Sequence, residues 1–159
     1  VLVDTIDNFD YAEAILVTQL PEDGDYTLIA TREDGRSGDS VGEYTITLLI
    51  PEVIEVGGKV SGLASSEGRP QYFVINSEDD FVLRYSKNAG DFNPEVAVGI
   101  LNDSMSGTDE FASAYGQLDN IAMGNIEAGL YIVQIQEALF DFNFDEVTAD
   151  FNLSVESAE

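Results

Sequence analysis

Asp141, Asn143 and Asp145 alternate with Phe140, Phe142 and Phe144. In an extended segment that spacing turns three oxygen-bearing side chains to one face and three rings to the other. Hard oxygen donors so placed suit a calcium ion. Asp103 and Asp109, in the stretch NDSMSGTDE, form a second candidate cluster, with Asp7 and Asp10 at the comparable place earlier in the chain. The match to a calcium loop is incomplete, because Glu146 stands where an EF-hand turn requires glycine. The plainer reading of each cluster is a solvated polar edge, so calcium is a candidate ligand and no cofactor is required. If either cluster binds it, added calcium raises the melting temperature, and a flat response removes the site.

The rings of FDFNF suit stacking on a sugar face, although the same spacing serves a strand that covers an apolar edge, which is the plainer use. Two sequons occur, Asn102-Asp103-Ser104 and Asn152-Leu153-Ser154. Asn102 falls in a loop and is the better glycosylation acceptor of the two. Nucleophilic catalysis needs a serine, threonine or cysteine beside a base, yet the chain contains neither histidine nor cysteine. Lys59 and Lys87 lie in stretches that read as edge strand and turn, and neither makes a convincing base. Among 31 acidic residues close carboxylate pairs arise by chance, so a glycosidase pair is not inferred. The residues point away from an enzyme.

The elements that must position these groups have a period of two. Tyr26, Leu28 and Ala30 alternate with Thr27, Ile29 and Thr31, and Tyr44, Ile46 and Leu48 with Thr45 and Thr47. Strands with one buried face read this way. Similar stretches are QYFVI (71–75), FVLRYS (81–86), EVAVGIL (95–101), LYIVQIQ (130–136) and DFNLSVE (150–156). Turn formers separate them: PEDG (21–24), EDGRSG (33–38), SSEGRP (65–70), KNAGDFNP (87–94) and NDSMSGTDE (102–110). Short strands at this spacing, without an amphipathic helix, predict an all-β chain of antiparallel sandwich or jelly-roll modules with very little helix.

The chain also repeats itself. LPEDGDYTLIATREDGRSGDSVGEYTITL (20–48) aligns with IEAGLYIVQIQEALFDFNFDEVTADFNLSV (126–155). Leu20 matches Ile126, Gly24 matches Gly129, and Tyr26 and Leu28 match Tyr131 and Val133. Tyr44, Ile46 and Leu48 match Phe151, Leu153 and Val155. Only the second copy has a full set of upstream strands. Residues 1–50 therefore read as the rear half of a sandwich, completed by another chain segment or subunit, and residues 51–159 as a complete one. The boundary is placed at Pro51, where PEVIEVGGKVSG reads as a short linker running into an edge strand.

Composition narrows the partners. With 31 acids against 6 bases the formal net charge is -25, which repels nucleic acid and anionic membrane surfaces. Hydrophobic residues make up 44% of the chain, enough for a core, so the acids coat a folded surface rather than mark disorder. That coat suits solubility in salt, or repulsion between exported proteins, better than one dedicated site. No apolar run approaches the roughly 20 residues of a membrane-spanning helix, and no signal peptide precedes Val1.

The stretch from about Ile54 to Val155 resembles the bacterial pre-peptidase C-terminal domain family, β-sandwich modules found beside secreted peptidases and in large exported proteins. The resemblance rests on VGGKVSG, QYFVI, GDFNPEVAVGIL, IEAGLYIVQI and DFNLSV, and residues 1–50 resemble the rear of a further copy. It implies a non-catalytic accessory module outside the cell or on its surface. Two functions follow as expectations. One is a structural or adhesive role, in which the chain assembles with copies of itself or with adjacent repeats by strand complementation into a filament or surface layer. The other is a module that holds a secreted hydrolase on extracellular polysaccharide or protein.

Overall fold

Among the described residues the chain forms nine strands, most of them in stretches where apolar and polar residues alternate. The computed structural model describes residues 20, 22–29, 42–43, 45–66, 69–90, 93–101, 108–115, 119–137 and 147–158. The strands are β1 (Glu52–Ile54), β2 (Lys59–Ser65), β3 (Gln71–Ser77), β4 (Phe81–Gly90), β5 (Pro94–Leu101), β6 (Thr108–Tyr115), β7 (Asn120–Ile126), β8 (Gly129–Glu137) and β9 (Thr148–Ser157). They form a five-stranded sheet in the order β1-β3-β8-β5-β6 and a four-stranded sheet in the order β2-β9-β4-β7. All neighbours are antiparallel except β1 and β3. The chain is thus an all-β sandwich, as its alternation predicts. No helix among the described residues is long and apolar enough to cross a membrane.

Register carries one face of each sheet inward. In the five-stranded sheet Ile54 stands beside Ile75, Phe73 opposite Val133, and Val96 opposite Ile135. In the four-stranded sheet Leu83 faces Val155 and Tyr85 faces Leu153. These residues share one buried cluster with Phe81, Ile126, Tyr131 and Phe151. Aromatic contacts tie the sheets together: Phe73 meets Phe151 edge-on at 6.2 Å, and Phe81 meets Tyr131 edge-on at 5.4 Å. Each such pair contributes about 0.5–1.5 kcal/mol beyond its buried area.

Close approach requires glycine at Gly62 and at Gly90. Gly62 in β2 lies opposite Phe151, and a Cβ there would sit 2.5 Å from the Phe151 ring. Gly90 ends β4 with φ +96, and a Cβ would meet the Thr148 carbonyl oxygen at 1.9 Å. The ladder between β4 and β9 shifts register just before it, between Lys87 and Ala89, so the strand bends where only glycine fits.

Several elements differ from the sequence reading. PEVI pairs with β3 as β1 and is no linker. Lys87 and its neighbours continue β4 to Gly90 rather than turning, because β9 is long enough to pair that far. Strands β6 and β7 were not foreseen, since TDEFASAY and NIAMGNI carry small and polar residues that blur the alternation.

Residues 1–50 cluster with 102–107 as a unit of their own, apart from 51–101 and 108–159. Within it, described residues 25–29 and 45–50 adopt no strand, although their alternation predicts two. Strands form only against hydrogen-bonded neighbours, and these residues stand exposed: Leu28 at 59%, Ile46 at 52% and Leu48 at 77%. Tyr26 donates its hydroxyl to the Glu22 carbonyl at 2.5 Å, a local contact only.

Candidate functional site

The outer face of the four-stranded sheet gathers the polar groups best placed to meet a ligand. Residues that alternate with the core positions of β2, β9, β4 and β7 fall into cross-strand rows. Lys59, Ser154, Arg84 and Ala122 make one row, and Ser61, Asn152, Ser86 and Asn120 the next. Small side chains at Ser86, Ala122 and Ser154 leave a groove of about 520 Å³ along this face. Gly57, at φ +85 in the turn ahead of β2, lines one end of it.

Hydrogen bonds preset the groove. The Ser61 hydroxyl donates to Asn152 Oδ1 at 2.7 Å, and Asn152 Nδ2 donates to Asn88 Oδ1 at 2.7 Å. Arg84 Nε donates to Glu156 Oε2 at 2.7 Å, with both side chains half exposed, so the pair orients Arg84 more than it stabilises the fold. With Lys59 at the rim, two of the chain's six bases stand here. The arrangement can hydrogen-bond neutral polar groups and attract an anionic one. It offers no nucleophile paired with a base. Because Asn152 is half-buried and its amide nitrogen is engaged by Asn88, the second sequon presents a poor acceptor.

Beneath the groove, burial, followed by the nearby Asp119 carboxylate, pushes the Tyr85 phenol up to about 12. Its hydroxyl has no hydrogen-bond partner among the described residues. Burial, then Glu127 and Asp80, raises the Tyr131 phenol as well. Lys87, almost covered, reaches Asp119 Oδ1 at 2.9 Å. At the far end of the sandwich Asp80 joins three strand ends: its carboxylate accepts from the Ala128 amide at 3.1 Å and its carbonyl from the Ala158 amide at 3.0 Å.

Asp141, Asn143, Asp145, Asp103 and Asn102 lie outside the described residues, as do Asp7, Asp10 and the FDFNF rings. Asp109 is in β6, paired with Ile100. Among the described residues no three acidic side chains come together as a metal site. Sequence reasoning missed the groove, whose signal is the run of Ser, Asn and small residues on the polar phase of four strands.

No family model matches the chain, and no curated protein matches it. Solved structures do. The pre-peptidase C-terminal domain of a collagenase from Bacillus anthracis superposes with a TM-score of 0.54 at 11% identity, covering 70% of this chain and 100% of that one. PliG of Aeromonas hydrophila, a periplasmic inhibitor of g-type lysozyme, gives a TM-score of 0.42 at 9% identity, covering 67% of this chain and 100% of that one. The collagenase match defines the class: the sandwich has a pre-peptidase C-terminal-like fold. At that identity the likeness concerns fold alone.

Proposed function

We propose that the chain is a non-catalytic, extracellular β-sandwich protein of the pre-peptidase C-terminal type with a structural role, whose residues 20–50 take up strands from a neighbouring polypeptide. One observation carries this reading. Ile126, Tyr131, Val133, Leu153 and Val155 are at most 1% exposed, whereas their repeat counterparts Leu20, Tyr26, Leu28, Ile46 and Leu48 are 39% to 77% exposed. The same pattern that fills one core lacks a cover in the other copy, and exposed apolar strand formers invite pairing. Joined repeat to repeat, such modules build a filament or surface layer. Analytical sedimentation and electron microscopy of the purified protein test it. Assembly that the double substitution Leu28→Asp, Leu48→Asp abolishes supports the role, and a monomer in which residues 20–50 are already protected from solvent counts against it.

The groove favours a second reading, attachment of a hydrolase to its substrate. Its Ser, Asn and Arg side chains suit polar polymers. Retention on insoluble cellulose, chitin or collagen that Arg84→Ala and Asn152→Ala weaken supports it, and no retention on any of them removes it.

A further inference from the structure

Among the described residues the sandwich ends in four edge strands, β1, β2, β6 and β7, and three of them are guarded. β1 is three residues long, contains Glu52 and follows Pro51, which has no amide to give. β2 begins at Lys59, and the Leu63 carbonyl on its outer edge already accepts from the Gln71 side-chain amide. β6 contains Asp109 and Glu110. Charge, proline and short length are what keep a sheet edge from pairing. β7, NIAMGNI, has none of these protections: it runs for seven residues without a charge or a proline.

The backbone of β7 is set to pair. The Lys87 amide donates to the Asp119 carbonyl at 2.7 Å, and in an antiparallel ladder the bonded pairs recur at every second residue. Ile121 and Met123 therefore bond to Tyr85 and Leu83, while Asn120 and Ala122 turn amide and carbonyl away from β4. Both are exposed, as is Gly124, where a Cβ would meet nothing. Among the described residues β7 pairs with β4 alone.

The chain also holds a strand former to match. Residues 45–50, TITLLI, carry no charge, and Ile46, Leu48, Leu49 and Ile50 are 52%, 77%, 53% and 90% exposed. Copies with a net charge of -25 repel one another wherever acids face acids, so contact favours two neutral surfaces. The segment cannot lie along β7 of its own chain. Short links at 55–58 and 116–119 set β1 with β2 at one side of the sandwich and β6 with β7 at the other. A strand added beyond β7 stands four spacings from β2, about 19 Å, whereas Ile50 stays within about 7 Å of Glu52 along the chain.

We infer that residues 45–50 of one copy add to the β7 edge of a second copy, as a fifth strand of its four-stranded sheet. The inference rests on the reading that residues 20–50 pair with a neighbouring polypeptide, and it names the strand they meet. Segment and edge are different surfaces of the chain, so the contact repeats head to tail without closing.

The chain has no cysteine, so introduced thiols report the contact without background. Full-length Leu48→Cys, Leu49→Cys and Ile50→Cys are each mixed with full-length Ala122→Cys under mild oxidation. At least one pair is expected to form an intermolecular disulfide, because directly paired residues bring their Cβ atoms within range, and none should do so with Ser61→Cys on the β2 edge. Ala122→Lys, which charges the edge at an exposed position, is expected to reduce sedimentation to that of a monomer while the far-ultraviolet circular dichroism stays that of the parent. Crosslinking to Ser61→Cys in place of Ala122→Cys, or assembly that persists in Ala122→Lys, would overturn the β7 contact and leave assembly through residues 20–50 intact. A parent chain that is monomeric at every concentration and crosslinks to neither edge would overturn both.

Discussion

Phe151 shows how single residues set this fold. Its ring is fully buried, stacks on Tyr85 at 5.6 Å and meets Phe73 edge-on, and it leaves no room for a side chain at position 62. Gly62→Ala should therefore destabilise the sandwich by about 1–3 kcal/mol, the usual cost of overpacking, as read from urea unfolding. A neutral outcome would mean that the ring has space to move. Tyr85 gives a pH-dependent test. Its phenol titrates near 10 when unfolded and about 12 when folded, so its contribution is complete below pH 10 and lost as pH rises from 10 through 12. The difference amounts to roughly 2–3 kcal/mol. Tyr85→Phe should flatten the alkaline fall in stability without loss at pH 7, because the hydroxyl has no hydrogen-bond partner to lose among the described residues. An unchanged alkaline profile would assign that fall to other groups.

At the scale of elements the two copies of the repeat are a controlled comparison. Leu153 is buried in β9 while its counterpart Ile46 is 52% exposed. Leu153→Ala should cost about 2–5 kcal/mol, and Ile46→Ala should stay within about 0.5 kcal/mol. Equal costs would mean that position 46 is also packed. The same comparison explains what the letters reveal. Alternation at 71–75, 81–86, 95–101, 130–136 and 150–156 predicts five strands that form, because each turns one row of apolar side chains into the core. It failed at β6 and β7, where Ala, Ser, Gly and Asn replace the apolar positions. It also misjudged 25–29 and 45–50, since alternation reports which face a strand would bury and not whether a partner is there to pair with. The groove escaped notice for a related reason: its rows run across four strands, and only the register brings Lys59, Ser154 and Arg84 side by side.

At the scale of the whole molecule a net charge of -25 works against compactness. Ion pairs such as Arg84 with Glu156 and Lys87 with Asp119 offset little of it. Sodium chloride raised from low to molar concentration should therefore raise the melting temperature, because screening shortens the reach of the repulsion to about 3 Å at 1 M. A melting temperature that does not move would locate the acids too far apart to matter. The fold itself was legible from the repeat and the strand spacing, whereas the partner was not, because a surface that awaits backbone pairing has no residue type of its own.

Amide hydrogen exchange followed along the intact monomeric chain decides between an uncovered repeat and a closed one. Amides 131–135 and 151–155 should be protected to the level of global unfolding, and amides 26–28 and 46–48 should exchange as freely as in an unstructured peptide. Matching protection in the two copies would mean that the first is sealed without a partner.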